Sequence, residues 1–173
     1  MDLENVIRNI ADFPIKGVQF KDITPLLQNP EAFRYVIDTW KERYANKNVQ
    51  VIVGADARGF IFGAPLAYAL GIPFVPVRKP GKLPAETLSE SYSLEYGENT
   101  LEIHKDAMKA GDRVLLVDDL LATGGTMGAM VRLVEQFDVE IVELAFVIEL
   151  SFLGGAKLCG EYPIHSLVTY DKE

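Results

Sequence analysis

The chain has 173 residues, 49% of them hydrophobic and 24% charged, which is enough for one domain with a sizeable core. Its net charge of −8 argues against nucleic acid as the main partner. A single cysteine, Cys159, excludes an internal disulfide and a cysteine metal cluster and fits a reducing, cytoplasmic setting. The acidic N-terminus has no apolar signal core and no apolar run is long enough to span a bilayer, so neither export nor a membrane is expected.

Residues 2–12 are expected to form a short amphipathic helix with Leu3, Val6, Ile7 and Ile10 on one face. Residues 13–25 contain two prolines and a glycine and read as a turn or extended segment. Phe20, among polar neighbours there, taken alone reads as a core anchor. Asn29-Pro30 predicts a helix start, with Asn29 as the cap and proline at the first helical position. Phe33, Val36, Ile37, Trp40 and Tyr44 follow at helical spacing and predict its core face.

Residues 50–54 predict a short buried strand, and a helix rich in small residues is expected to run to Leu70. Arg58 stands at that helix start, where the macrodipole favours anions; a lone arginine there is usually solvated. Residues 72–77 predict a third strand. The basic loop Arg78-Lys79-Pro80-Gly81-Lys82 follows. From Ala57 to Ala85 there is no carboxylate, yet Arg58, Arg78, Lys79 and Lys82 all fall there. In so acidic a chain this segregation predicts a cation cluster for a highly charged anion. Tyr92, Leu94 and Tyr96 alternate with Ser91, Ser93 and Glu95. Gly97-Glu98-Asn99 is expected to turn the chain, and Leu101 and Ile103 continue the apolar face on the return. These features predict a two-stranded flap.

Val114-Leu115-Leu116-Val117 is apolar without alternation, which suits a strand buried on both faces. It ends in Asp118 and Asp119. The small-residue loop Ala122-Thr123-Gly124-Gly125-Thr126 follows, then a helix expected over 127–137. Ligands of open α/β sheets sit beyond the carboxyl ends of strands. A helix N-terminus suits phosphate, glycines allow close backbone approach, and Thr123 and Thr126 add hydroxyl donors. Two aspartates would repel phosphate, so the ligand needs phosphate at one end and hydroxyls or a metal at the other; ribose 5-phosphate fits. Neither a Walker loop nor the dinucleotide fingerprint is present. Strands are expected over 140–150 and 165–170, joined by a connection at 154–160. His104 and His165 are isolated and are assigned to neither metal nor catalysis. Strands alternating with helices predict an open parallel α/β sheet flanked by helices.

Residues 117–126 resemble the phosphoribosyl-diphosphate signature of type I phosphoribosyltransferases, and the resemblance covers nearly the whole chain. It implies a single domain over 1–173, with residues 1–30 contributing to a small hood and 78–104 forming a flexible flap. It implies that Asp118, Asp119, Ala122, Thr123, Gly124, Gly125 and Thr126 hold the ribose phosphate. Arg58, in a loop that often carries a non-proline cis peptide, would meet the diphosphate with Arg78, Lys79 and Lys82. Phe20 would stack on a purine while the backbone of Gln19 and Lys21 reads its edge; Lys21 stands where the family commonly has arginine. Glu95 matches a glutamate proposed to move a proton. The implied reaction is transfer of the phosphoribosyl group from 5-phosphoribosyl 1-diphosphate to adenine, giving AMP and pyrophosphate, with hypoxanthine, guanine or xanthine as the alternative bases. Mg²⁺ would arrive mainly on the diphosphate, with no protein metal site, and the family habit is a homodimer. A non-catalytic sugar-diphosphate sensor would need a nucleic-acid-binding module, for which 173 residues leave no room.

Overall fold

The computed structural model describes residues 1–94 and 97–172. Its centre is a parallel sheet made from the apolar runs. Strands β3 (Val51–Ala55), β4 (Phe74–Val77), β7 (Arg113–Leu121), β8 (Glu140–Leu150) and β9 (Ile164–Tyr170) lie in the order β4-β3-β7-β8-β9. Every neighbouring pair is parallel. Alternate residues of β7 point to opposite faces. Leu115 and Val117 pack with helices α2 (Pro30–Tyr44) and α3 (Arg58–Leu70), whereas Val114 and Leu116 pack with helix α4 (Gly125–Glu135). A strand covered on both sides has no polar face, so the run at 114–117 needs none.

Helix α2 begins where Asn29 accepts the backbone N–H groups of Glu31 and Ala32, each at 3.1 Å. Its far end is tied to β8 by buried Glu143. That carboxylate accepts two hydrogen bonds from Arg43, one from the Tyr44 hydroxyl and one from Lys47. Helix α1 (Thr24–Gln28) precedes α2. Two antiparallel hairpins stand apart from the main sheet: β1 (Arg8–Ala11) with β2 (Gln19–Asp22), and β5 (Thr87–Leu94) with β6 (Gly97–His104).

Two expectations are corrected. Residues 2–12 are not a helix: a single 3₁₀ turn over Glu4–Val6 leads into β1. So short a segment cannot meet the cost of helix nucleation by itself, whereas pairing with β2 satisfies its backbone and Arg8 bonds Asp22 across the hairpin at 2.6 Å. Leu3 and Ile7 are still buried. Nor do Gly97, Glu98 and Asn99 turn the chain, because they belong to β6. These residues pair with Leu94, Ser93 and Tyr92, so cross-strand pairing overrides their turn propensity. Among the described residues, no helix is long and apolar enough to cross a membrane.

Candidate active site

The carboxyl ends of β3, β4 and β7 lie side by side because these strands are adjacent and parallel. After β3 comes the Asp56–Ala57 peptide, which is cis, the form that the resemblance implies for this loop. Helix α3 starts at Arg58. Its first turn lies against β7 because residue 59 has no side chain. A Cβ there would stand 2.8 Å from the Val117 carbonyl and 3.1 Å from an Asp118 carboxylate oxygen. The close approach brings Arg58 Nε to 3.0 Å from Asp119 Oδ2.

Asp119 is buried and Asp118 is half-buried. Burial, followed by the neighbouring Asp119 charge, pushes the Asp118 carboxyl well above the usual carboxylate range. Burial also raises Asp119, and Arg58 opposes that shift. The Asp119 backbone N–H donates to Asp118 Oδ1 at 2.9 Å and fixes its orientation.

Arg58, Asp118, Ala122, Thr123, Gly124, Gly125 and Thr126 line one cavity of about 170 Å³. Gly124 has φ +84°, left-handed geometry that a side chain would strain. It serves as the cap of α4, which begins at Gly125, two residues before the expected start. A helix start of this kind leaves its first N–H groups without intrahelical partners. A second loop braces this one. A Cβ on Gly124 would collide with the Gly155 carbonyl, and one on Gly155 would collide with the Ala122 carbonyl. One turn along, a Cβ on Gly128 would collide with the Leu158 carbonyl.

The flap hairpin also reaches the loop. The Tyr92 hydroxyl lies 3.0 Å from Thr126 Oγ1, and Arg132 of α4 pairs with Glu90 at 2.6 Å. Beyond β4, the Arg78 backbone exchanges hydrogen bonds with Glu102 of the hairpin. The Arg78 guanidinium donates to Asp56 at 3.0 Å. Lys79 and Lys82 are exposed, and neither lines the Asp118–Thr126 cavity.

Gln19, Phe20 and Lys21 lie on β2, and they too stand outside that cavity. Phe20 meets Phe13 edge to face at 5.0 Å. Lys21 donates to Asn9 at 3.0 Å and its ammonium sits 4.2 Å from the centre of the Tyr170 ring. Glu95 lies outside the described residues. Among the described residues, no group of three or more His, Cys, Asp or Glu side chains is placed to hold a metal ion.

Sequence reasoning missed Asp56, Tyr92 and Gly155. Asp56 was legible as a second carboxylate at a strand end. Gly154-Gly155, after a buried strand, signalled a tight backbone approach without saying to what. Tyr92 had no sequence signal beyond its place on the apolar side of the flap.

A loop of small and hydroxyl residues stands beside two carboxylates at the end of the central strand of a parallel sheet. The chain belongs to the phosphoribosyl transferase domain family, whose pattern matches residues 22–171. Among its relatives are adenine phosphoribosyltransferases. It is 61% identical over 170 residues to the adenine phosphoribosyltransferase of Herpetosiphon aurantiacus, covering 98% of this chain and 99% of that one. It is 56% identical over 171 residues to that of Clostridium tetani, covering 99% of each. The solved adenine phosphoribosyltransferase of Thermoanaerobacter pseudethanolicus superposes with a TM-score of 0.93 at 53% identity over 98% of each chain. The Saccharomyces cerevisiae enzyme, solved with an imino-altritol bisphosphate and adenine, gives a TM-score of 0.91 at 42% identity over 96% of each chain.

Proposed function

We propose that this chain transfers the phosphoribosyl group of 5-phosphoribosyl 1-diphosphate to adenine, giving AMP and pyrophosphate. The observation that carries the proposal is the cavity shared by Arg58, Asp118 and residues 122–126, in a chain 61% identical to an adenine phosphoribosyltransferase. In this reading residues 122–126 hold the 5-phosphate, and Asp118 and Asp119 accept the ribose hydroxyls. Arg58, Arg78, Lys79 and Lys82 offset the charge of the diphosphate. The purine nitrogen attacks the anomeric carbon as the bond to the pyrophosphate oxygen breaks, through an oxocarbenium-like state. The protein contributes orientation, charge stabilisation and exclusion of water, with the two hairpins as cover. Glu95 moves the proton at the purine.

Mg²⁺ would be carried mainly by the diphosphate, whose phosphate oxygens are ligands of the kind this ion takes, and would offset charge on the leaving pyrophosphate. A homodimer is supported by α3, whose exposed Ile61, Ala64 and Tyr68 form an apolar stripe at helical spacing. A cytoplasmic setting suits the free, buried Cys159 thiol.

Adenine is favoured over 6-oxo purines because the Lys21 ammonium is engaged by Asn9 and the Tyr170 ring. That leaves backbone groups of 19–21 to read the base. A carbonyl accepts from the 6-amino group and an N–H donates to the adjacent ring nitrogen; a 6-oxo purine mismatches both. Buried mismatches of this kind discriminate by about 10⁴-fold. Assaying the purified protein with each base at equal concentration tests the reading. Adenine alone should turn over well, and comparable turnover of hypoxanthine or guanine would overturn the base assignment.

A further inference from the structure

Among the described residues, Tyr92 of the flap touches the 122–126 loop, and the contact has two parts. The Tyr92 hydroxyl stands 3.0 Å from Thr126 Oγ1. Its ring covers Gly125 so closely that a Cβ at position 125 would lie 3.1 Å from a ring carbon. Tyr92 is half-buried, and its strand is pinned alongside by the Glu90–Arg132 pair at 2.6 Å.

A threonine hydroxyl has one proton to give and two lone pairs to accept with. With the loop empty, either hydroxyl can be the donor. A phosphate dianion can only accept, so a threonine hydroxyl that binds it must donate. Thr126 then has no proton left for Tyr92, and Tyr92 must donate to Thr126. By donating, Tyr92 supports the hydroxyl orientation that phosphate needs. Donation into Thr126 also polarises its own O–H. We infer that Tyr92 is a positioning residue for the sugar 5-phosphate, acting through Thr126 and coupling flap docking to phosphate binding. This rests on the function proposed above, because it takes the Thr126 loop as the phosphate site. It also gives Gly125 a second role, since a larger residue would push the tyrosine away.

The test is Tyr92→Phe, which keeps the ring over Gly125 and removes only the hydroxyl. The KM for 5-phosphoribosyl 1-diphosphate should rise by about three- to tenfold, the usual weight of one neutral hydrogen bond. The kcat, the KM for adenine and the melting temperature should hold. Titration with ribose 5-phosphate should weaken by the same factor. In a Thr126→Val background, adding Tyr92→Phe should cost less than about twofold, because the partner is already gone. A KM for the diphosphate within about twofold of the parent would overturn the inference, as would a full additive loss in the Thr126→Val background. So would a parallel loss of kcat, adenine affinity and melting temperature, which would mean a general packing role. Failure of the parent chain to form AMP would instead overturn the proposed function, and the ribose 5-phosphate titrations would still decide the role of Tyr92.

Discussion

Replacing Gly155 with alanine should damage phosphate binding from outside the cavity. Gly155 does not line the Asp118–Thr126 pocket. Its φ is not left-handed, so alanine suits the local backbone. The added Cβ, however, would collide with the Ala122 carbonyl. It would also stand 2.8 Å from the Gly124 nitrogen and 2.9 Å from the Thr123 carbonyl carbon. These are main-chain atoms of the 122–126 loop, with no rotamer by which to retreat. Relief requires the loop to move by roughly 1 Å, and a displacement of that size can cost about 10²-fold in rate. Overpacking should cost only about 1–3 kcal/mol of stability. Steady-state kinetics with saturating adenine should therefore show kcat/KM for the sugar diphosphate falling by about two orders of magnitude in a folded protein. Gly154→Ala is the control. Gly154 has φ +68° and only the Lys157 side chain nearby, at 3.9 Å. That change should cost about 1 kcal/mol of stability and leave phosphate affinity alone. A folded Gly155→Ala variant with unaltered kcat/KM would refute the reasoning.

Two further outcomes are expected. Arg58→Ala, Lys79→Ala and Lys82→Ala should each weaken pyrophosphate binding far more than AMP binding by calorimetric titration, because AMP lacks the diphosphate; equal losses would place these cations elsewhere in the site. Glu143→Gln should remove a pH-dependent part of stability, readable by urea unfolding at neutral and acid pH. The bonds from Arg43, Tyr44 and Lys47 outweigh burial and hold this carboxyl at about 2 against an ordinary 4.5. A depressed folded value stabilises above about 4.5 and is lost as pH falls towards 2, amounting to about 3 kcal/mol. An unchanged pH slope in the variant would count against the network.

The parts of the fold set by local chemistry were legible. The unalternated run at 114–117 is buried on both faces, and Asn29-Pro30 begins a helix as its capping chemistry dictates. The loop at 122–126 was legible because glycines, hydroxyls and carboxylates follow one another in sequence. The rest depends on partners that are distant in sequence. Apolar residues at 3, 6, 7 and 10 fit a helix, yet pairing with β2 decides the conformation. The carboxylate-free stretch from Ala57 to Ala85 read as a set of cations awaiting an anion. In the fold, two of them already meet carboxylates from outside the stretch: Arg58 meets Asp119, and Arg78 meets Asp56. Charge counted along a segment omits what neighbouring strand ends contribute. The contacts of Gly155 and Tyr92 are likewise created only when the β8–β9 connection and the flap close on α4.

The carboxylates beside an anion loop posed the sharpest conflict in the sequence, and the structure offers its resolution. Burial and the neighbouring charge raise Asp118, and burial raises Asp119. A raised carboxyl is more readily protonated, which softens the repulsion between this pair and an incoming anion. Arg58, 3.0 Å from Asp119, reduces the field further. A phosphate entering the 122–126 loop therefore meets weaker repulsion than the sequence implies. Sugar hydroxyls donating to the same carboxyls would favour their ionised form. By linkage, sugar binding and proton release go together. This requires buried Asp119 and half-buried Asp118 to lie beside one arginine, which is the arrangement that the bare Gly59 permits.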